Sequence, residues 1–307
     1  MRILVTGAAG YIGAALVRSL APHHEVLATD QGAMDFGPGV EAVTGNLAYP
    51  KFARSLVTAQ TDAVFHLASL VSGGAEQNFE LGTKVNLDAT RDLLEACRLA
   101  GNRPRFLFAS SIAVYGQGGD IGDDTPARPR LSYGTQKLVC ELLIDDYSRR
   151  GYLDGCALRL PAVMVRPGTA NTALTGWVSA IIREPLAGRD YVCPVAPQTT
   201  MACISVRRVV EAFVHASRLE LAAERAFLLP GIPVTAREML DAAKARGAKG
   251  AVRFEPDPRI QKAMEGAPRS TRSARADALG FEPSRDIMEI VREYQEDYPD
   301  PSVARHG

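Results

Sequence analysis

Tyr133-Gly134-Thr135-Gln136-Lys137 sets a phenol and an ammonium four residues apart. On a helix that spacing puts both groups on one face, where they can address the same bound molecules. A phenol ionises near about 10 in water, so a base working near neutrality needs that value lowered by roughly 3, about 4 kcal/mol. A neighbouring lysine cation contributes to such a lowering. The chemistry would be removal of a proton from a hydroxyl. Upstream, Phe108-Ala109-Ser110-Ser111-Ile112-Ala113-Val114-Tyr115-Gly116 brings a further hydroxyl, Ser111, to the end of a predicted strand. Ser111 is suited to donate to a developing oxyanion or to orient a substrate hydroxyl. Taken singly these are common patterns: an aromatic at a helix start, a solvated lysine, a serine pair closing a strand. What distinguishes them is their place downstream of a glycine-rich turn.

That turn is Thr6-Gly7-Ala8-Ala9-Gly10-Tyr11-Ile12-Gly13, between a predicted first strand and first helix. Glycines permit the backbone angles of a sharp strand-to-helix turn. They also let a pyrophosphate reach the N–H groups at the helix start. Gly7, Gly10, Tyr11, Ile12 and Gly13 are therefore candidate dinucleotide contacts. Asp30 closes the second strand, 17 residues after Gly13. A carboxylate there accepts from ribose hydroxyls and repels the extra phosphate of NADP, and neither Gln31 nor Gly32 offers a cation for it. The expected cofactor is NAD, whose positive nicotinamide would help to acidify the phenol.

The elements that must position these groups follow from alternation. Arg2–Thr6, Glu25–Asp30, Ala63–Ala68, Phe106–Ser110 and Ala157–Leu160 read as strands. Ala14–Leu20, Asp88–Ala100 and Thr135–Arg149 read as helices between them, with apolar residues at helical spacing. This order predicts an α/β fold, a doubly wound parallel sheet of the Rossmann kind, with a smaller discontinuous C-terminal substrate part. The predicted nucleotide domain is 1–160, with 204–230 returning to it. Residues 161–203 and 231–298 form the substrate part, and 299–307 a loose tail. The stretch 163–203 carries four prolines and shows no regular alternation; Val206–Leu219, Ala226–Leu229 and Thr235–Ala245 then read as helix, strand and helix.

Composition excludes other classes. Lys plus Arg equals Asp plus Glu at 35 each, so no basic excess points to nucleic acid. No apolar run approaches the ~20 residues of a membrane span, and Met1 runs almost directly into a strand, leaving no room for a leader. Cys97, Cys140, Cys156, Cys193 and Cys203 are scattered and odd in number, as in a reduced cytoplasmic protein. No metal-ligand spacing occurs.

The glycine turn, His66-Leu67-Ala68, Asn86 in Val85-Asn86-Leu87, Ser111 ahead of Val114-Tyr115-Gly116, and the Tyr133/Lys137 pair together resemble the extended short-chain dehydrogenases/reductases, which include sugar-nucleotide epimerases and dehydratases. The resemblance covers most of the chain. It implies that Lys137 bonds the nicotinamide ribose and that Asn46, Leu47, Leu67 and Ala68 line the adenosine side. Asn86 and Pro161 join the same cofactor-binding set. Relatives often carry Asp where this chain has Asn46; an amide can still hydrogen-bond there. The resemblance also implies a homodimer packed through the helices that follow Asn86 and Tyr133.

Sugar-nucleotide members usually carry an L-R-x-x-N-V-Y-G-P stretch whose Asn holds the nucleotide phosphate; here Ala162 takes that place in Leu158-Arg159-Leu160-Pro161-Ala162. That substitution, and a short C-terminal part, argue for a small substrate. A closer resemblance, to bacterial D-erythronate dehydrogenases, is carried by Val71-Ser72-Gly73-Gly74-Ala75-Glu76, Ser132 to Lys137, Leu158 to Pro161, Arg166-Pro167-Gly168, Ile182-Arg183-Glu184-Pro185-Leu186 and Glu255 to Ile260. It implies oxidation of the hydroxyl next to a sugar-acid carboxylate, giving a 2-keto acid. Met201-Ala202-Cys203-Ile204 replaces a more polar or aromatic segment and leaves the acid itself open. A buried carboxylate needs a cation or several N–H donors. Arg183 and Arg166 are the candidates, each also open to a salt-bridge role, Arg166 the more so, and Ser72 is a candidate for a substrate oxygen. His66 reads as a structural strand residue. The competing readings are a sugar-nucleotide epimerase, a dehydrogenase of a uronate or of L-threonine, and a non-catalytic NAD sensor.

Overall fold

A computed structural model of the chain describes residues 1–168, 173–221 and 224–300; of the expected tail, all but residues 299 and 300 lie outside the described residues. The chain divides into two compact units. The first comprises Met1–Val114, Leu131–Arg159 and Val210–Phe227; the second comprises Tyr115–Arg130, Leu160–Val209 and the chain from Leu228 onward. Residues 115–130 and 204–209 thus fall in the second unit, unlike the division that alternation suggests. Pairing explains it: the strand Gly119–Ile121 runs parallel to Pro268–Thr271, and Thr200–Ser205 pairs with Ala162–Met164 and Ile232–Thr235.

The first unit is the expected doubly wound α/β sheet. Its strands β1 (Arg2–Thr6), β2 (Glu25–Asp30), β3 (Val40–Thr44), β4 (Ala63–His66) and β5 (Arg105–Ser111) lie in the order β3-β2-β1-β4-β5, followed by Asp154–Leu160 and Ala226–Leu228. The pairs from β3 to β5 are parallel. β4 is buried throughout and β1 and β5 nearly so, which is why they read as short unbroken apolar runs. Helices α1 (Tyr11–Leu20), α2 (Pro50–Ser55), α3 (Ser72–Gln77), α4 (Phe79–Gly82), α5 (Ala89–Ala100) and α6 (Ser132–Arg149) complete it. Leu4, Val64, Phe106 and Phe108 from the strands pack against Leu93, Leu94 and Cys97 of α5 and Cys140 and Ile144 of α6.

Two helical features bear on function. A π-helical turn, Thr83–Asp88, joins α4 to α5 and carries Asn86; such turns gather at functional sites. On α6 the buried positions include Gly134, Lys137, Cys140, Glu141, Ile144 and Ser148, a stripe at helical spacing that contains two charged side chains. Burying charge is costly unless it is paired, so that stripe marks chemistry rather than packing alone.

In the second unit the helix α7 (Trp177–Leu186) packs with residues of the three-stranded sheet in a core that includes Val178, Ile181, Met201, Cys203 and Met239. All five cysteines are buried and unpaired. Among the described residues no helix is long and apolar enough to cross a membrane, and no cluster of His, Cys, Asp and Glu could hold a metal ion.

Candidate active site

The glycine turn is built for close approach. Gly7 has φ +72°, a state that side chains disfavour, and a Cβ there would stand 2.6 Å from the Ala68 nitrogen. A Cβ at Gly13 would come within 2.1 Å of the Gly7 carbonyl oxygen, and one at Gly10 within 3.1 Å of it. Tyr11, Ile12 and Gly13 form the first turn of α1, which has no side-chain cap and no acidic residue at its start. A helix start left in this way after such a turn is a cradle for a pyrophosphate. The residues present fit a dinucleotide.

Asp30 stands at the end of β2. One carboxylate oxygen accepts from the Ala9 N–H at 3.0 Å and the other from the Gln31 N–H at 2.6 Å. The first of these bonds ties the turn to β2, and a carboxylate's roughly four acceptor sites leave room for ribose hydroxyls. The Asn46 side-chain oxygen accepts from the Ala48 N–H at 2.8 Å, closing a local turn, and Leu47 beside it is buried. Leu67 N–H donates to the Thr6 carbonyl at 3.2 Å and Ala68 N–H to Thr6 Oγ1 at 3.3 Å, which brings the loop after β4 against Gly7. His66 is fully buried, its Nδ1 2.7 Å from Thr6 Oγ1 and its Nε2 2.9 Å from Thr90 Oγ1. Burial, and then the Lys137 cation, push its pKa down to about 3. It is neutral at working pH, in line with a structural role.

At the end of β5 the three expected chemical groups meet. Lys137 is 2% exposed, and its Nζ donates to the Ala109 carbonyl at 2.8 Å. The same ammonium lies 4.6 Å from the centre of the Phe108 ring and 5.6 Å from that of Tyr133. Burial lowers its pKa to about 8, against Cys140 and Glu141, which favour the cation. The Tyr133 phenol is held above its ordinary range by burial, while hydrogen bonds with Ser111 and Ser69 pull it back. In the chain by itself the ammonium is anchored to the strand's carbonyl, and the groups that pull the phenol down are the two serines. Ser111 Oγ also accepts from the Ala113 N–H at 3.1 Å, which orients it.

Asn86 turns out to be a clamp. Its side-chain oxygen accepts from Ser69 Oγ at 3.0 Å and Leu70 N–H at 2.7 Å; its amide donates to the Leu70 carbonyl at 3.0 Å and Gln136 Oε1 at 2.7 Å. These four bonds use the donors and acceptors of the amide, so the side chain braces the loop after β4 against α6 and has nothing left for a cofactor. Ser69 was not apparent from sequence. It reaches the phenol only because the fold brings residue 69 beside residue 133, and the one available signal was its place three residues after His66 in the loop at the strand's end. Glu76 was likewise missed; its carboxylate accepts from the Ser132 N–H at 2.5 Å, at the start of α6. Ser72 is half-buried and opens α3.

The remaining candidates belong to the second unit. Pro161 is buried between Asp154–Leu160 and Ala162–Met164. Arg183, on α7, is 3% exposed; its guanidinium pairs with Glu184 at 2.7–2.8 Å and donates to the Arg166 carbonyl at 2.9 Å. It therefore acts as a brace for the 166 segment, already neutralised by its neighbour. The Arg166 N–H donates to Ser179 Oγ at 3.0 Å, so α7 grips that backbone twice.

Comparison with known proteins places this geometry. The model of the NAD dependent epimerase/dehydratase family matches residues 3–226. The chain is 42% identical over 325 aligned positions to a protein of Cupriavidus necator named D-erythronate dehydrogenase, covering 97% of this chain and 98% of that one. It is 37% identical to a D-erythronate dehydrogenase of Haemophilus influenzae, over 96% and 99% of the two chains. Among solved structures, one described as a nucleoside-diphosphate-sugar epimerase from Agrobacterium tumefaciens superposes with a TM-score of 0.90 at 36% identity, covering 98% of this chain and 95% of that one. With the glycine cradle and the tyrosine–lysine pair on one sheet edge and the family model matched over most of its length, the chain belongs to the NAD dependent epimerase/dehydratase family.

Proposed function

We propose that this NAD-dependent oxidoreductase oxidises the C2 hydroxyl of a small sugar acid, D-erythronate or a close analogue, to the 2-keto acid. What carries the reading is the meeting of Ser111, Ser69 and Lys137 around Tyr133 in a chain so similar, end to end, to proteins named D-erythronate dehydrogenase. Gly7, Gly10, Tyr11, Ile12 and Gly13 would hold the cofactor's pyrophosphate and Asp30 its adenosine ribose. Asn46, Leu47, Leu67 and Ala68 would line the adenosine and Lys137 would bind the nicotinamide ribose, and Pro161 is a further cofactor-binding candidate. When bound, oxidised NAD supplies the hydride acceptor and a positive ring charge.

Tyr133, as the phenolate, takes the C2 hydroxyl proton while the C2–H bond gives up its electron pair as hydride to the nicotinamide, leaving a carbonyl. Ser111 steadies that oxygen by donating to it. Lys137 keeps a positive charge behind the phenol, and the proton held on Tyr133 then passes to solvent. Ser72 serves a substrate oxygen. Arg166 and Arg183 are the candidates for the substrate carboxylate, and Arg183 also pairs with Glu184. Leu99 on α5 and Leu142 on α6, each 64% exposed, support a homodimer through those helices. Five unpaired buried thiols fit a reducing cytoplasm.

The test is NADH formation from free NAD across a panel of aldonates, with Tyr133→Phe beside the wild type. Turnover of D-erythronate, and a loss of at least about 100-fold in the variant, are expected. Normal turnover by Tyr133→Phe would overturn the reading. Epimerisation of a sugar nucleotide, favoured by the name of the Agrobacterium relative, predicts no net NADH; Ala162 in place of the phosphate-binding Asn speaks against it.

A further inference from the structure

The charged stripe of α6 does not end at Lys137. Glu141 lies one helical turn further on, so Tyr133, Lys137 and Glu141 share a face at intervals of four. Glu141 is 5% exposed. One of its oxygens accepts from Ser110 Oγ at 2.5 Å and from Arg159 Nε at 3.0 Å; the other accepts from Arg159 Nη2 at 2.7 Å. Ser110 is the residue before Ser111, and Ala109, one further back, supplies the carbonyl that holds Lys137. Two successive residues at the end of β5 are thus fastened to two successive turns of α6. Arg159 comes from the neighbouring strand Asp154–Leu160 and completes a buried ion pair. A buried pair of this kind contributes little to stability compared with apolar packing, so its place directly behind the proton-handling groups calls for another account.

We propose that Glu141 is a positioning residue for the reaction: it locks the Ser110–Ser111 end of β5 onto α6 and supplies the buried negative charge that keeps Lys137 a cation. The inference rests on the reading of Tyr133 and Lys137 as the proton-handling pair. The charged or titratable groups around Lys137 are Tyr133, Cys140 and Glu141 on its own helix and His66 from β4, with Arg159 beyond Glu141. His66, with a pKa near 3, and Cys140, pushed up to about 11, are both neutral between pH 6 and 9. Glu141 is therefore the anion that acts on Lys137 in that range, and it favours the protonated lysine.

The experiment compares kcat/KM of Glu141→Gln with wild type across pH 6 to 9, with D-erythronate as substrate at saturating NAD. Glutamine keeps the shape and the acceptor for Ser110 but removes the charge. With Lys137 near 8 in the wild type and lowered by about one pH unit in the variant, the variant-to-wild-type ratio should fall roughly eight-fold between pH 6 and pH 9. A ratio flat with pH, at whatever level, overturns the proposal and leaves a packing role. Glu141→Asp, which keeps the charge and withdraws it by one methylene, should lose rate equally at all pH. If Glu141→Gln does not fold, Arg159→Gln decides: removing the cation paired with Glu141 leaves more of its charge acting on Lys137, so the variant-to-wild-type ratio should rise from pH 6 to pH 9, and a flat ratio counts against the charge role. Tyr133→Phe, run alongside, separates the two failures. An active Tyr133→Phe sinks the proton-handling reading itself, whereas an inactive one with a flat Glu141→Gln ratio sinks only the role of Glu141.

Discussion

Lys137 is a cation held where water scarcely reaches it, and that arrangement has a thermodynamic consequence. An unfolded lysine titrates near about 10.4, whereas the folded one titrates near 8. Below pH 8 both states carry the proton and the folded state bears the full cost of a buried charge, about 3 kcal/mol at pH 7. Between pH 8 and about 10.4 the unfolded chain binds more protons than the folded one, so stability rises with pH across that window. Lys137→Met removes the charge and also the hydrogen bond to Ala109 O, worth about 1 kcal/mol. The variant should therefore gain about 2 kcal/mol at pH 7 in urea unfolding while losing turnover, a residue kept for chemistry at the expense of stability. A variant destabilised at pH 7 would mean that the lysine braces the fold. At this scale sequence spacing was enough to place Tyr133 and Lys137, because i to i+4 on a helix is a geometric statement. The partners of Asn86 and the neighbour Ser69 were not legible, since they are contacts between segments 16 to 64 residues apart. For Arg183 the sequence left a carboxylate contact and a salt bridge both open, and nothing in its type reveals that its guanidinium folds onto the neighbouring Glu184.

The turn between β1 and α1 shows what an element can demand of single positions. Gly13 and Gly101 are both glycines at helix ends, yet they answer to different constraints. Gly101 ends α5 at φ +74° with nothing within 4 Å of where a Cβ would stand, so Gly101→Ala should cost only about 1–2 kcal/mol of backbone strain. A Cβ on Gly13 would sit 2.1 Å from the Gly7 carbonyl and 2.9 Å from Ala8 Cα, both rigid backbone. Gly13→Ala must therefore push α1 off the end of β1, costing about 1–3 kcal/mol or more and opening the cradle. Calorimetric titration with NAD should show binding lost in Gly13→Ala and intact in Gly101→Ala. Equal binding in both variants would detach the turn from the cofactor. Elements with plain periodicity were readable from sequence to within a few residues: β1, β2 and α5 stand where alternation puts them. β3 was not, because Val40–Thr44 is an edge strand largely exposed and shows no apolar run. α7 was hidden by Pro185, which sits in its last turn and cannot donate to the Ile181 carbonyl, so the helix stops one residue later, while the Pro185 carbonyl accepts from Gly188, Lys249 and Gly250.

Across the whole molecule, charge balance at 35 cations and 35 anions says nothing about pH tolerance, because what matters is the difference in proton uptake between folded and unfolded chain. His66 contributes to that difference on the acid side. Held between Thr6 of β1 and Thr90 of α5, its ring stays neutral down to about pH 3, while an unfolded histidine protonates near about 6.5. As pH falls below about 6.5 the unfolded chain takes up a proton that the folded chain refuses, and stability falls by about 1 kcal/mol per pH unit. Between pH 7 and pH 5 the loss from this one ring is about 2 kcal/mol, a sizeable part of the 5–15 kcal/mol of a typical domain. Carboxylates add their own acid sensitivity, so the test is a difference. His66→Asn, whose amide can still bond one of the two threonines but cannot titrate, should be less stable than wild type at pH 7 and close most of that gap by pH 5, in urea unfolding followed at both pH values. Parallel losses in the two proteins would mean that acid lability arises elsewhere and that the ring is a packing group whose protonation the fold tolerates.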